Sequence, residues 1–473
     1  MDKGFIFHAY RRRFKGDIMK GHMKMSRSLS LFSVVLFGLS FMALTTVFST
    51  YGIVAQLSHG MVAGSYIIAL IVMLFTAYSY GQMAKEFPVA GSAYTYVQKA
   101  INPEMGFLVG WAILMDYLFI PMVNYLLFGI FFNAAIPEVP PSIWILSLLI
   151  IVTLINTRGV KIAAGTNVFI IGSSLLFLII FCTLSIKEIT LGTGTGTLYN
   201  MDPIINREES FKYVVAGAAL LCFSFLGFDS VSTFSEETIN PKKNIPKAIF
   251  IITLMGGLIF TTVSYFAHNV WPDYMSFTDP DSASYDIIGL VGGNVLKTMF
   301  LAITAIVVFG SAMSSQASAA RVLYAMGREG QLPKRFFGKL NKKHKTPTNN
   351  ILLISFLSLP SLFLSLSLVA SFINFGAFLA FIFVNISVIV LFFVKRKKRT
   401  FSDLILYLLI PLTGAVLDIL LLINLDWYSI IFGSIWFSLG ILYLFVLTKG
   451  FKSRIPEMNI TEIEYNNKKD HIL

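Results

Sequence analysis

The sequence predicts an all-α membrane protein. It has about twelve transmembrane helices, arranged as a 5+5 inverted repeat with broken helices 1 and 6, plus two appended helices. Three observations predict this. Of the 473 residues, 56% are hydrophobic and only 13% are charged, about half the charged share of a soluble domain; the mean hydropathy is +0.74. Apolar runs near the roughly 20 residues that cross about 30 Å of hydrocarbon recur along the whole chain. The sixth run is interrupted by Phe225-Leu226-Gly227-Phe228-Asp229, and an Asp at such depth costs about 2.5–3.5 kcal/mol on insertion scales.

The spans fall at approximately 30–54, 62–83, 107–134, 142–156, 166–186, 212–234, 248–270, 293–320, 350–366, 369–394, 403–423 and 428–448. The first is too long for a signal-peptide core and has no small-x-small exit, so it stays as a membrane helix. Met19, Met23 and Met25 offer later starts, and residues 1–24 are expected to be dispensable for the fold. The first span also breaks. Its Thr45-Thr46-Val47-Phe48-Ser49-Thr50-Tyr51-Gly52 stretch is β-branched and hydroxyl-rich, a mediocre helix former. The third span carries Asp116 near mid-membrane, the fourth is short, and the fifth holds no Lys. The sixth is broken by a glycine beside a carboxylate, a combination that survives only where protein or a water-filled cavity covers it. The 350–394 region admits a second division between spans nine and ten. Two interrupted spans, five apart, point to inverted halves 1–5 and 6–10 with the site between them, and to spans eleven and twelve as additions.

The net charge is +12 and the pI about 9.4. The positive residues collect in alternate loops: Arg11 to Arg27 before the first span, Arg321 to Lys345, and Lys395-Arg396-Lys397-Lys398-Arg399. The intervening 135–141 loop has no Lys or Arg, and 271–286 is acidic through Asp273, Asp279, Asp281 and Asp286. This is the positive-inside pattern, which puts both termini in the cytoplasm and requires an even number of spans. It explains the basic balance without nucleic acid. The chain divides into a basic cytoplasmic N-terminal tail (1–27), a single transporter domain (28–448) and a cytoplasmic C-terminal tail (449–473). The 187–211 segment, with Gly192 to Thr197 alternating Gly and Thr, reads as a weakly structured external loop; Trp144, Trp271 and Trp427 lie near the outer boundary, as an aromatic belt requires. The two cysteines, Cys182 and Cys222, sit in apolar spans and build neither a disulfide framework nor a metal site. The six His are scattered over tails and loop edges, so no metal is expected. No phosphate-binding loop supports ATP drive, and no nucleophile–base constellation supports an enzyme.

Several local runs carry a resemblance. Pro88-Val89-Ala90-Gly91-Ser92-Ala93-Tyr94-Thr95-Tyr96 is followed by Gly106-Phe107 and Gly110-Trp111. Phe225 to Asp229 is followed by Ser235-Glu236-Glu237-Thr238-Ile239-Asn240-Pro241 and Ile245-Pro246. Arg321 to Pro333, Thr346-Pro347 and Asn374-Phe375-Gly376 with Phe381 and Asn385 complete the set. Together these resemble the signatures of the amino acid–polyamine–organocation transporters, over nearly all of 28–448. Within that superfamily the chain is most similar to the bacterial putrescine importers, through Ser28 to Leu31, Thr46 to Phe48, Asp116 to Phe119 with Pro121-Met122, Glu138 to Pro141, and Cys222 to Asp229. An acidic residue is expected in the broken part of span one in those importers; this chain has Ser49.

The resemblance implies a secondary active transporter of the bacterial cytoplasmic membrane that imports a small amine such as putrescine. The cycle is alternating access driven by a cation gradient, and the alternative is an amino acid permease of the same fold. Asp116 is a carboxylate for a substrate ammonium or for proton coupling, or else an acid paired with a neighbouring hydroxyl. Tyr117 offers a cation–π face or packs helix to helix. Asp229 meets a second ammonium or caps the half-helix beyond it. Gly227 permits the unwound backbone. Phe225 and Phe228 are gate or stacking aromatics, or two of the 44 Phe that pack the bundle. Thr45, Thr46 and Ser49 supply hydroxyls and freed carbonyls. No glycine lies between Gly38 and Gly52, which argues against a carboxylate-holding turn and for an ammonium, a group that only donates hydrogen bonds. Ser314 and Ser315, with Gln316, are candidates for a coupling-ion site beside span one, or small residues that ease helix packing. Glu236, Glu237, Lys242, Lys243 and Lys247 form a gating ion-pair region or a solvated loop. No cofactor is expected beyond a coupling proton or sodium ion. The expected partners are the small amine or amino acid and the lipid bilayer; no protein partner is identified by the residues.

Overall fold

The computed structural model describes residues 27–89, 92–159, 166–328 and 330–453. Both tails beyond these limits, and Ala90-Gly91 of the run after span two, lie outside the described residues. The described chain is helical, and eleven helices are long and apolar enough to cross a membrane. A shorter apolar helix, Thr348–Leu362, takes the ninth place. Span two is Val62–Glu86, span three Pro103–Ala135, span seven Pro241–Val270, span ten Leu366–Lys395, span eleven Phe401–Ile423 and span twelve Trp427–Leu447.

Helix starts follow local chemistry. Asn102 accepts from the Met105 amide at 2.8 Å with Pro103 at the first helical position, and Asp426 accepts from Ser429 at 2.9 Å. Each satisfies an otherwise orphaned amide of the first turn. Span two packs most extensively on span seven, and span three lies between spans eight and ten. Close approach of three and ten is permitted at Gly376, where a Cβ would stand 2.6 Å from the Ala112 carbonyl. A short helix, Ser92–Ala100, joins spans two and three and packs on spans three and ten.

Span one breaks at both ends of its hydroxyl-rich stretch. The helix Leu31–Met42 stops at Ala43, which takes left-handed φ 47°; Thr46–Ser49 follows, then Tyr51–Leu57 beyond Thr50. The expected interruption over 45–52 is therefore two interruptions flanking one helical turn, and Gly52 itself is helical. The Phe48 carbonyl, freed by the second, accepts from the Ser284 hydroxyl at 2.7 Å. Ser284 belongs to the segment before span eight, where the helix Ala283–Arg328 bends at Gly293 (φ 60°). Phe277, in the loop just before that helix, lies against Tyr51 with ring centroids 6.5 Å apart, so this segment forms a cover over the break. Ser284→Ala leaves that buried carbonyl unpaired and is expected to destabilise the fold by about 1–3 kcal/mol, read as a lower unfolding temperature of the purified protein.

Beneath the break, the start of span one is tied to the end of span six. Glu237 O accepts from the Ser28 and Leu29 amides at 2.9 and 3.0 Å, and the Ile239 amide donates to Leu29 O at 2.9 Å. Leu29 and Thr238 thus form an isolated parallel bridge. Nearby, the Arg396 guanidinium grips both carboxylate oxygens of Glu86.

The 187–211 loop is more ordered than expected. Gly192, Gly194 and Gly196 all take positive φ. The resulting turns bring the Thr195 amide to Asn269 O at 2.9 Å and Asn200 Nδ2 to Asn269 Oδ1 at 3.0 Å. The alternating glycines build turns rather than slack.

Candidate functional site between broken spans one and six

Span six runs as the helix Phe211–Leu221, tightens to a three-residue-per-turn helix at Cys222–Phe225, opens at Leu226-Gly227, and resumes in the same tight form at Ser230–Glu236. Gly227 takes φ 113°, and a Cβ there would lie 2.8 Å from Phe41 Cβ and 3.0 Å from Phe41 C. The two breaks therefore rest directly on one another. Asp229 occupies the cap position of the second tight helix, and its carbonyl accepts from Ser232 at 3.0 Å. Its carboxylate does not form the usual side-chain cap bond. It lies among the backbone amides of Gly227, Asp229 and Ser230 and accepts from the Ser92 hydroxyl at 3.4 Å.

Asp116 of span three is close enough to Asp229 for the two carboxylates to interact, and Tyr117 feels both. Asp116 Oδ1 is buried without a hydrogen-bond partner. Among the described residues no Lys, Arg or His is placed against either acid. Two buried acids without a basic partner call for a positive charge, as a bound proton or as a cation brought between them, because an uncompensated carboxylate in a low-dielectric interior is strongly unfavourable. Span three supplies a further acceptor. Pro121 lies inside it and has no N–H to give to the carbonyl of Tyr117, four residues earlier.

Aromatic rings line the neighbourhood of Asp229. Tyr80 meets Tyr96 at 6.1 Å, Phe228 at 5.6 Å and Phe381 at 5.9 Å, and Phe228 meets Phe381 at 5.5 Å. Tyr80 and Tyr96 lie within electrostatic reach of Asp229. Phe225 is fully buried elsewhere, and its ring contacts are with Phe260, edge-on at 5.6 Å, and Tyr66, tilted at 6.5 Å.

The structure thus brings Asp116, Tyr117, Gly227 and Asp229 together. Thr45 and Ser49 are buried in the broken part of span one, and Thr46 Oγ1 returns to the Met42 carbonyl at 3.4 Å. No hydrogen bond joins these three to either acid among the described residues. The coupling-ion candidates sit differently from the expectation. Ser314 is exposed, and the Ser315 hydroxyl is taken by its own helix, at Ser311 O, 2.7 Å. Gln316 bonds Asn156 at 2.8 Å and Ser355 at 3.0 Å, joining spans four, eight and nine rather than span one. Glu236 and Glu237 lie at the backbone bridge to span one, where Glu237 acts through its carbonyl.

Sequence reasoning missed Tyr80, Ser92 and Tyr96 as neighbours of Asp229, although Ser92 and Tyr96 lie within the run that carried the resemblance. It also passed over Asp418, a fully buried acid in span eleven. Its signal was plain: a carboxylate deep within an apolar span, well away from the Asp403 at its start.

Comparison with known proteins agrees with this architecture. The amino acid permease family matches residues 34–463. The low-affinity putrescine importer PlaP of Escherichia coli (strain K12) is 39% identical over 436 residues, covering 92% of this chain and 96% of that protein. The branched-chain amino acid permease BcaP of Bacillus subtilis (strain 168) is 26% identical over 487 residues, covering 94% and 98%. The methylthioribose transporter of the same organism is 26% identical over 458 residues, covering 90% and 94%.

Proposed function

The chain belongs to the amino acid permease family, and from that membership we propose that it imports a small diamine, putrescine or a close relative, across the bacterial cytoplasmic membrane. The observation that carries this reading is the Asp116–Asp229 pair, two carboxylates on different spans with no basic side chain against either among the described residues. A diammonium chain supplies the two missing charges. One ammonium meets Asp116, the freed Tyr117 carbonyl and the Tyr117 ring; the other meets Asp229 beside Ser92. Ammonium groups donate and never accept, which suits a site made of carboxylates, carbonyls and hydroxyls. The methylenes between them pack on the rings of Tyr80 and Phe228.

The cycle is alternating access in a 5+5 inverted repeat, with one bundle rocking against the other about the two breaks, both termini in the cytoplasm, and a cation gradient as the drive. The cover over span one and the backbone bridge beneath it are the contacts that part in turn. The identity to a putrescine importer supports the substrate class. The similarity to a branched-chain amino acid permease, with Ser49 where an acid is expected for a diamine, favours the second reading, an amino acid permease of the same fold.

Uptake of labelled putrescine into proteoliposomes under an imposed proton gradient separates the two. Block by unlabelled diamines and indifference to amino acids supports the diamine. Amino acid uptake without putrescine uptake overturns it. Tyr117→Leu removes the cation–π face, worth about 0.5–2 kcal/mol, and is expected to raise the half-saturation concentration about two- to thirtyfold. An unchanged value assigns Tyr117 to packing alone.

A further inference from the structure

Asp418 of span eleven is 0% exposed and takes no part in the site above. Its Oδ2 accepts from Thr76 Oγ1 of span two at 2.9 Å and from Asn385 Nδ2 of span ten at 2.9 Å, and Asn385 Nδ2 also reaches Thr76 Oγ1 at 3.1 Å. The other carboxylate oxygen and Asn385 Oδ1 are both enclosed without a partner. Gly414, one turn before Asp418, makes room for the amide: a Cβ there would stand 2.8 Å from Asn385 Oδ1. Tyr80 of span two and Cys222 of span six are the titratable groups that face Asp418, and no Lys, Arg or His does so among the described residues. Two neutral hydrogen bonds do not offset the desolvation of an isolated carboxylate. The missing positive charge must be carried on the acid itself or brought to it. A divalent ion such as Ca2+ or Mg2+ gathers about six or more oxygens, waters included; the carboxylate and amide of this cluster offer Asp418 Oδ1 and Asn385 Oδ1.

We propose that Asp418, Asn385 and Thr76 form a proton-binding site between spans two, ten and eleven, and that its proton is the coupling ion of the transport cycle. This rests on the reading of the chain as an amine transporter. The observed arrangement, with two donors on one oxygen, is the one that receives the ionised acid. When Asp418 binds a proton, the Asn385 amide turns over and presents Oδ1 to the new O–H, so the amide reads the protonation state. The link to the substrate site is short. Thr76 stands one turn from Tyr80 and Asn385 one turn from Phe381. Those two rings touch at 5.9 Å and both lie against Phe228, next to Asp229. A rearrangement at the amide therefore reaches the break of span six through two ring contacts.

The test uses the full chain in proteoliposomes. Infrared pH-difference spectra are expected to show a protonated carboxylic acid band in the wild type that is absent from Asp418→Asn and shifts when putrescine is added. Asp418→Asn is expected to lose proton-driven putrescine accumulation by about tenfold or more while retaining putrescine counterflow, with Asp418→Glu restoring accumulation. Accumulation by Asp418→Asn at the wild-type level, or drive by sodium instead of protons, overturns the proposal. So does loss of counterflow together with accumulation, since that marks a structural role. If the wild type moves no putrescine by either route, the diamine reading fails. The infrared band and proton-driven accumulation of the amino acid that is carried instead then decide the proton site separately.

Discussion

Asp116→Asn is expected to abolish uptake while leaving the amount of protein in the membrane unchanged. The amide has almost the shape of the acid, and Asp116 Oδ1 has no hydrogen-bond partner to lose, so folding has little to register. Transport does. On the diamine reading, the variant removes one of the two charges that attract the substrate and leaves an ammonium facing an uncharged, desolvated group. Removing one partner of a buried ion pair costs about 3–5 kcal/mol, or two to three and a half orders of magnitude in affinity at about 1.4 kcal/mol per tenfold. Radiolabelled uptake, normalised to immunoblotted membrane protein, checks it. Full activity in the variant would remove Asp116 from the mechanism, and a fall in abundance parallel to activity would make it a folding residue.

Gly227→Ala is expected to act the opposite way, on stability first and transport as a consequence. At φ 113° only glycine is at ease, and forcing another residue there costs about 1–3 kcal/mol. The added methyl would also meet Phe41 Cβ at 2.8 Å. That neighbour sits beside the main chain of span one and cannot swing aside like the end of a long side chain. The break of span six would have to move away from span one, taking Asp229 with it. A lowered unfolding temperature of the detergent-purified protein, with weakened putrescine binding, is the expected result. An unchanged temperature with normal transport would show that the break tolerates a different backbone path.

The fold was largely legible because its cause is compositional. A chain that must hide its backbone from lipid has few choices, and the apolar runs mark them. Span six was legible as broken because Gly227 and Asp229 stand in an apolar run. The tight helical turns on either side of the break were not, since Cys222 to Phe225 and Ser230 to Glu236 carry no residue that forbids an ordinary helix. Span one was less legible. Its first interruption falls on Ala43, a residue that favours helix and gives no local sign of a left-handed backbone. Asp116, Asp229 and Asp418 were equally visible as acids in apolar runs, but only the first two fell within runs that resembled a family. The Ser92–Asp229 and Ser284–Phe48 contacts join residues 137 and 236 positions apart, and no local pattern announces such pairs.

The bridge between Leu29 and Thr238 is made entirely of main-chain atoms. Every non-proline residue presents the same amide and the same carbonyl, so this closure has nearly the same strength whatever side chains surround it. Replacing those side chains one at a time by alanine would leave it intact, so an alanine scan is blind to it. If the bridge parts during the proposed cycle, it does so at nearly the same cost for every cargo, and on that reading selectivity falls to groups that differ in charge, such as Asp116 and Asp229.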